Sequence, residues 1–217
     1  MKKLITICMV MTMLLAVTGV AEAITIDGDL GDWGSPWFTD NTATPGYWQS
    51  TPIFTGYVTN DTTNLYVALD VETSATDKDD IPVWLAFKTT AGKYSQFIAP
   101  YSTMEIGYAD EPYAATNDPL SSIGGDFASV LGGGHLYYEL QVPLSVLGAS
   151  PGDTLKYLTH VRDFSGSPTV TNYHPEAYSW SPYSALQTYG GDLTLVPEPA
   201  TIGLLGLGAL SLLRRKR

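Results

Sequence analysis

Cysteine is all but missing from this chain of 217 residues: there is one, Cys8, and it lies in the first apolar stretch. From Ile24 onward there is none, which excludes disulfide staples, a cysteine nucleophile and thiolate metal ligation from that part of the chain. Basic residues are scarce as well. Of 22 acidic residues only Glu22 and Glu198 fall outside Ile24–Leu195, and of 11 basic residues only Lys78, Lys88, Lys93, Lys156 and Arg162 fall inside, which leaves that span at a net −15. Charge of this sign argues against nucleic acid and anionic membranes as partners. No Gly-x-Ser-x-Gly elbow, His-Glu-x-x-His helix or phosphate loop occurs. His135, His160 and His174 fall on two strand-like segments and a loop, without metal-ligand spacing. Asp163 and Glu176 are the pair a glycosidase reading would draw on, but among so many acids some such pair always exists. The span therefore reads as non-catalytic.

The two ends are informative. Lys2 and Lys3 precede a nearly unbroken apolar run, Leu4 to Val20, and Ala21-Glu22-Ala23 supplies the small-x-small pattern that signal peptidase accepts, with Ala21 and Ala23 as the small residues. Residues 1–23 are thus expected to be a signal peptide, helical while it lasts. At the other end, Val196-Pro197-Glu198-Pro199-Ala200-Thr201 opens an apolar stretch that closes on Arg214-Arg215-Lys216-Arg217. From Ala200 to Leu213 a helix would reach roughly 21 Å, short of the ~30 Å hydrocarbon core. Four consecutive cations favour the cytoplasmic side, leaving the domain outside. A short transmembrane helix with a basic stop suits a transient membrane hold.

Pro197-Glu198-Pro199, the apolar run and the terminal Arg214, Arg215, Lys216 and Arg217 together resemble the PEP-CTERM sorting signal of Gram-negative bacteria. The resemblance implies export to the cell surface and processing near Pro197-Glu198-Pro199 by an exosortase-like membrane protease. It also implies organisms that make extracellular polysaccharide.

Between the ends, Asn64 to Val71 alternates Leu65, Val67, Leu69 and Val71 with Tyr66, Ala68 and Asp70, the period of a strand with one buried face. Ile53 to Thr59, Ile81 to Lys88, Tyr94 to Ala99, His135 to Val142 and Thr154 to Phe164 read alike, with Gly, Pro, Asn, Asp and Ser clustered between them. Pro143 to Gly148 can make one helical turn, and Tyr108 to Gly134 reads as a long loop or an inserted excursion. The strand pattern expects an all-β fold, an antiparallel β-sandwich or barrel over residues 24–195, flanked by the signal helix and by the sorting segment 196–217 with its short hydrophobic helix.

Three segments carry a second resemblance. Ile24-Thr25-Ile26-Asp27-Gly28-Asp29-Leu30-Gly31-Asp32-Trp33, the strand Asn64 to Val71 with the acidic loop Asp77 to Asp80, and Tyr138 to Leu144 with Leu147-Gly148 are similar to family-nine carbohydrate-binding modules and DOMON-like sandwiches. Pro82-Val83-Trp84 departs from the strand such modules often show after the acidic loop. The resemblance implies a carbohydrate-binding-module-like sandwich, polysaccharide or extracellular matrix as partner, and a structural role for Trp33 at one end of the sandwich.

Aromatic residues are the candidate binding groups, since a sugar's C–H face packs on a flat ring with a polar edge. If Ile81, Val83, Leu85 and Phe87 face the core, Trp84 shares the opposite face with Lys88. Tyr178 and Trp180, near Tyr183, form a second cluster, and Trp37, Tyr47 and Trp48 a third; ordinary packing is the alternative for each. Asp27, Asp29 and Asp32, and separately Asp77, Asp79 and Asp80, offer the oxygen ligands calcium takes, or are solvated turn carboxylates. Non-catalytic polysaccharide binding outside the cell is the leading expectation. A structural matrix protein without a discrete ligand site is the second, and a secreted glycan-active enzyme the third.

Overall fold

In a computed structural model, residues 24–40, 54–100, 106–110, 117–164, 170–175, 186 and 190–196 are described. The signal and sorting segments, with the helices expected there, lie outside the described residues. Twelve strands follow one another: β1 Phe38–Asp40, β2 Phe54–Asn60, β3 Asn64–Glu72, β4 Val83–Thr89, β5 Tyr94–Ala99, β6 Gly107–Ala109, β7 Asp118–Pro119, β8 Asp126–Gly132, β9 His135–Pro143, β10 Thr154–Asp163, β11 Val170–His174 and β12 Gly191–Thr194. They form two antiparallel sheets. The first has the order β1-β2-β3-β9-β8; the second has β11-β10-β4-β5-β6-β7, with β12 also pairing with β10. Every pairing is antiparallel, as the alternation predicted.

Alternation explains the sandwich. Leu65, Val67, Leu69 and Val71 of β3 and Leu136, Tyr138, Leu140 and Val142 of β9 turn one face of the first sheet inward. They meet Val83, Leu85 and Phe87 of β4, Phe97 of β5, and Leu155, Tyr157 and Val161 of β10 in one continuous core. At roughly 1.5–3 kcal/mol per buried large side chain, this core is the main stabilising term. Tyr138 spends its polar end within it: the hydroxyl donates to the Ile81 carbonyl at 2.6 Å, tying the two sheets.

The turns follow local chemistry. Asp61 Oδ1 accepts from the backbone N–H of Thr63 and of Asn64, both at 2.6 Å, and folds β2 back on β3. Pro143 opens the single turn α1, Leu144–Leu147, and Gly148 at φ 68° ends it in the left-handed conformation that a side chain would strain.

Tyr108 to Gly134 is not a single loop. It contains the end of β6, then β7, a 3-10 turn at Leu120–Ile123, and the seven residues of β8. β8 is an edge strand whose inward residues Phe127 and Leu131 alternate with Ala128 and Val130 between glycines, so composition masked its period. His174 likewise belongs to β11 rather than to a loop, its ring stacked on Phe38 at 3.6 Å.

Candidate functional site

Each sheet has an outer face, and the two are used differently. On the first sheet, Glu139 of β9 points away from the core yet is 0% exposed. It is covered by the arm Ile24–Trp33. Its Oε2 accepts from the backbone N–H of Asp27 at 2.8 Å and from that of Gly28, and its Oε1 accepts from Trp33 Nε1 at 2.5 Å. Gly28 has φ +86°, and a Cβ there would collide with Val130 of β8. Trp33 also meets Tyr57 edge-on, ring centroids 6.2 Å apart. This buried carboxylate fastens the arm to the sheet, and Trp33 is part of that fastening.

The acidic clusters are drawn into the same local structure. Asp27 Oδ1 accepts from Asp29 N at 2.9 Å, Asp29 Oδ1 from Gly31 N at 3.0 Å, and Asp32 Oδ2 from Thr25 N at 2.7 Å. Asp77 Oδ1 caps the turn Lys78–Asp80 by accepting from Asp79 N at 3.0 Å. Asp32 Oδ1 is buried without a donor. Among the described residues no group of three or more His, Cys, Asp or Glu is placed to hold a metal ion.

The outer face of the second sheet is aromatic. Register puts Tyr173 of β11, His160 of β10 and Trp84 of β4 side by side across three strands. Their rings stand stacked, Tyr173 to His160 at 4.0 Å and 5°, His160 to Trp84 at 4.9 Å and 21°. Beside them Ala86, Tyr94, Leu158, Tyr173 and Leu186 form a second small apolar cluster. His160 is 1% exposed, and neither of its ring nitrogens has a hydrogen-bond partner. Burial, and then the nearby Arg162 charge, hold its pKa well below the usual imidazole value. It is a neutral ring in an aromatic stack.

Solvent reaches the end of this ladder. Trp84 is half-buried, and Phe164, just past β10, is 45% exposed. Between them lies Arg162, its guanidinium carbon 5.4 Å from the Trp84 ring and 6.0 Å from the Phe164 ring. Trp84 therefore does lie opposite the core, with Lys88 on the same side. Its ring is not a bare platform, because His160 stacks on it and Arg162 covers it. The ring offered to solvent is Phe164, which sequence reasoning passed over as the last residue of a strand. Arg162 was passed over too; its being the sole arginine between residues 24 and 195 was the available signal.

The other candidates separate. Tyr178, Trp180, Tyr47, Trp48 and Glu176 lie outside the described residues. Trp37 packs on the core, its ring 4.2 Å from Tyr157. Asp163 accepts from Thr73 Oγ1 at 3.1 Å. His135 Nδ1 meets Asp70 Oδ1 at 2.7 Å on the outer face of the first sheet, in a different sheet from His160.

Comparison with known proteins bears on both parts of the chain. Residues 195–217 match the PEP-CTERM protein-sorting motif, the tail of an exported surface protein. No curated protein matches the chain significantly. Among solved structures, the chain is similar to a candidate carbohydrate-binding protein from Bacteroides uniformis ATCC 8492, with a TM-score of 0.52 at 10% identity over 72% of this chain and 84% of that one. It is also similar to a carbohydrate-binding module of family 9 from Caldicellulosiruptor kristjanssonii, solved with cellotriose, with a TM-score of 0.50 at 13% identity over 81% and 91%. At such identities the likeness is one of fold, and the β-sandwich is that fold. Among the described residues no helix is long and apolar enough to cross a membrane.

Proposed function

We propose that this exported protein is a non-catalytic carbohydrate-binding module that holds polysaccharide at the cell exterior. The observation that carries the reading is the corner of the second sheet where exposed Phe164, Arg162 and half-buried Trp84 adjoin. Phe164 offers a flat apolar face for sugar C–H groups. The Trp84 indole N–H, which donates to no acceptor among the described residues, and the guanidinium N–H groups supply the polar edge. A neighbour of the same fold solved with cellotriose, and another named as a candidate carbohydrate-binding protein, support the reading by analogy. Tyr178 and Trp180 remain proposed contributors, and the sorting tail supports delivery by a signal peptidase and an exosortase-like protease.

The test is a glycan array probed with the exported protein, with calcium and with chelator, beside Trp84→Ala and Phe164→Ala. Each substitution is expected to weaken binding about tenfold or more, because losing the Phe164 ring face, or the Trp84 N–H together with the ring beside Arg162, is worth on the order of 1–2 kcal/mol. Circular dichroism should show both variants folded, and no bound glycan should release reducing ends. Binding that chelator abolishes would place calcium at the Asp27 or Asp77 turns among the ligand's requirements. A folded wild-type protein that binds no glycan would favour a structural matrix role, and released reducing ends would favour a glycan-active enzyme.

A further inference from the structure

We infer that the bound carbohydrate is anionic, its carboxylate or sulfate group held by Arg162 in the gap between Trp84 and Phe164. This rests on the carbohydrate-binding reading and deepens it. The span Ile24–Leu195 is strongly acidic, yet its few cations are not scattered. Register places Lys88 of β4 opposite Lys156 of β10 on the outer face of the second sheet, and Arg162 lies on that same side of β10. Three of the five basic residues of the span therefore share one face. Among the described residues Asp192 lies 2.9 Å from Lys156, and Lys88 has a partner of its own.

Among the described residues Arg162 meets no carboxylate. Its interactions among the described residues are the two aromatic rings, and its Nε is buried with no acceptor. A guanidinium left without an acceptor in so acidic a domain is unusual, since a buried donor ordinarily finds a partner. With two rings within about 6 Å of the guanidinium carbon and Nε buried, the Nη groups, which are not among the buried atoms, are the N–H donors left for a ligand. Those donors match a carboxylate or a sulfate, for which a charge-assisted hydrogen bond is stronger than a neutral one. A neutral sugar would leave the charge unanswered. The adjoining Phe164 face takes the sugar ring while the guanidinium takes the substituent.

The experiment is calorimetric titration of the exported protein, in EDTA at physiological salt, with a galacturonate tetramer, a sulfated oligosaccharide of equal length and the neutral tetramer cellotetraose. Short oligomers and screening keep the domain's overall negative field from deciding the result. One or both anionic ligands are expected to bind about tenfold or more tightly than the neutral one, and which does so separates carboxylate from sulfate. Arg162→Gln should remove that preference, bringing the anionic ligands down to whatever affinity the variant keeps for cellotetraose, whereas Lys156→Gln should leave it standing. Equal affinity for neutral and anionic ligands would overturn the inference and leave the carbohydrate-binding reading intact. A preference lost equally in Lys156→Gln would overturn the Arg162 assignment in favour of a diffuse field. No binding to any of the three, or to any glycan on the array, would overturn both.

Discussion

Glu139→Ala is expected to lower stability by about 3 kcal/mol or more, because three N–H donors that meet in the interior would lose their acceptor at once. The donors are the backbone groups of Asp27 and Gly28 and the Trp33 indole, and nothing else in the described structure is placed to take them. Water cannot substitute while the arm stays docked, since the carboxylate is fully buried. The arm must therefore either keep unmet donors or lift from the sheet, exposing Ala68 and Trp33. For a domain of this size the loss corresponds to about 6–12 °C in melting temperature. Amide exchange at Asp27 and Gly28 should accelerate more than exchange in β3 or β9. Glu139→Gln should fall between, by about 1–2 kcal/mol, because its NH₂ group must face one of the three donors. If that conflict is with the indole, Trp33→Phe should cost less in the glutamine background than in the native one, a coupling a double-mutant cycle reads directly. A Glu139→Ala protein melting within about a degree of the native one would mean that the arm is held by other contacts.

Glu139 also shows what the sequence leaves unsaid. Within Tyr138-Glu139-Leu140 the alternation correctly turns Tyr138 and Leu140 inward, so Glu139 reads as a solvent residue. Only the path of a segment more than a hundred residues earlier makes it a buried anchor. The long strands were legible because their apolar period is strict: Asn64 to Val71 and His135 to Val142 appear as β3 and β9 with shifts of one residue or less. β1, β6, β7, β8, β11 and β12 were not, being short or at edges, where pairing rather than composition defines them. The same limit governs the candidate site. Alternation put Trp84 on the outer face, but whether its ring stands bare depends on which residues of β10 lie beside it. The register between β4 and β10 brings His160 and Arg162 there, and no property of either segment alone encodes that register.

His160 supplies a pH-dependent result of comparable size. Folded, it is neutral: burial between Trp84 and Tyr173, reinforced by the Arg162 charge, depresses its pKa well below the usual value. Unfolded, the same imidazole takes a proton below about pH 6.5. Its contribution to stability is therefore fully present above about pH 6.5 and is lost as the pH falls towards the folded-state value, because the unfolded chain then binds the proton that the folded one refuses. Within that window the loss approaches about 1.4 kcal/mol per pH unit. His160→Phe keeps a ring in the stack, removes the two unpartnered nitrogens and cannot titrate. At about pH 7.5 the variant should be at least as stable as the native protein, since replacing an unsatisfied polar group by an apolar one of similar shape is neutral or favourable. By about pH 5.5 it should be the more stable by roughly 1 kcal/mol beyond any difference at pH 7.5. Every other side chain is the same in both proteins, so the comparison isolates position 160. Chemical denaturation of the pair at several pH values measures the gap. Stability curves that stay parallel from pH 7.5 to 5.5 would mean that the folded protein protonates His160 as readily as the unfolded chain does, and that the stack opens to admit the charge.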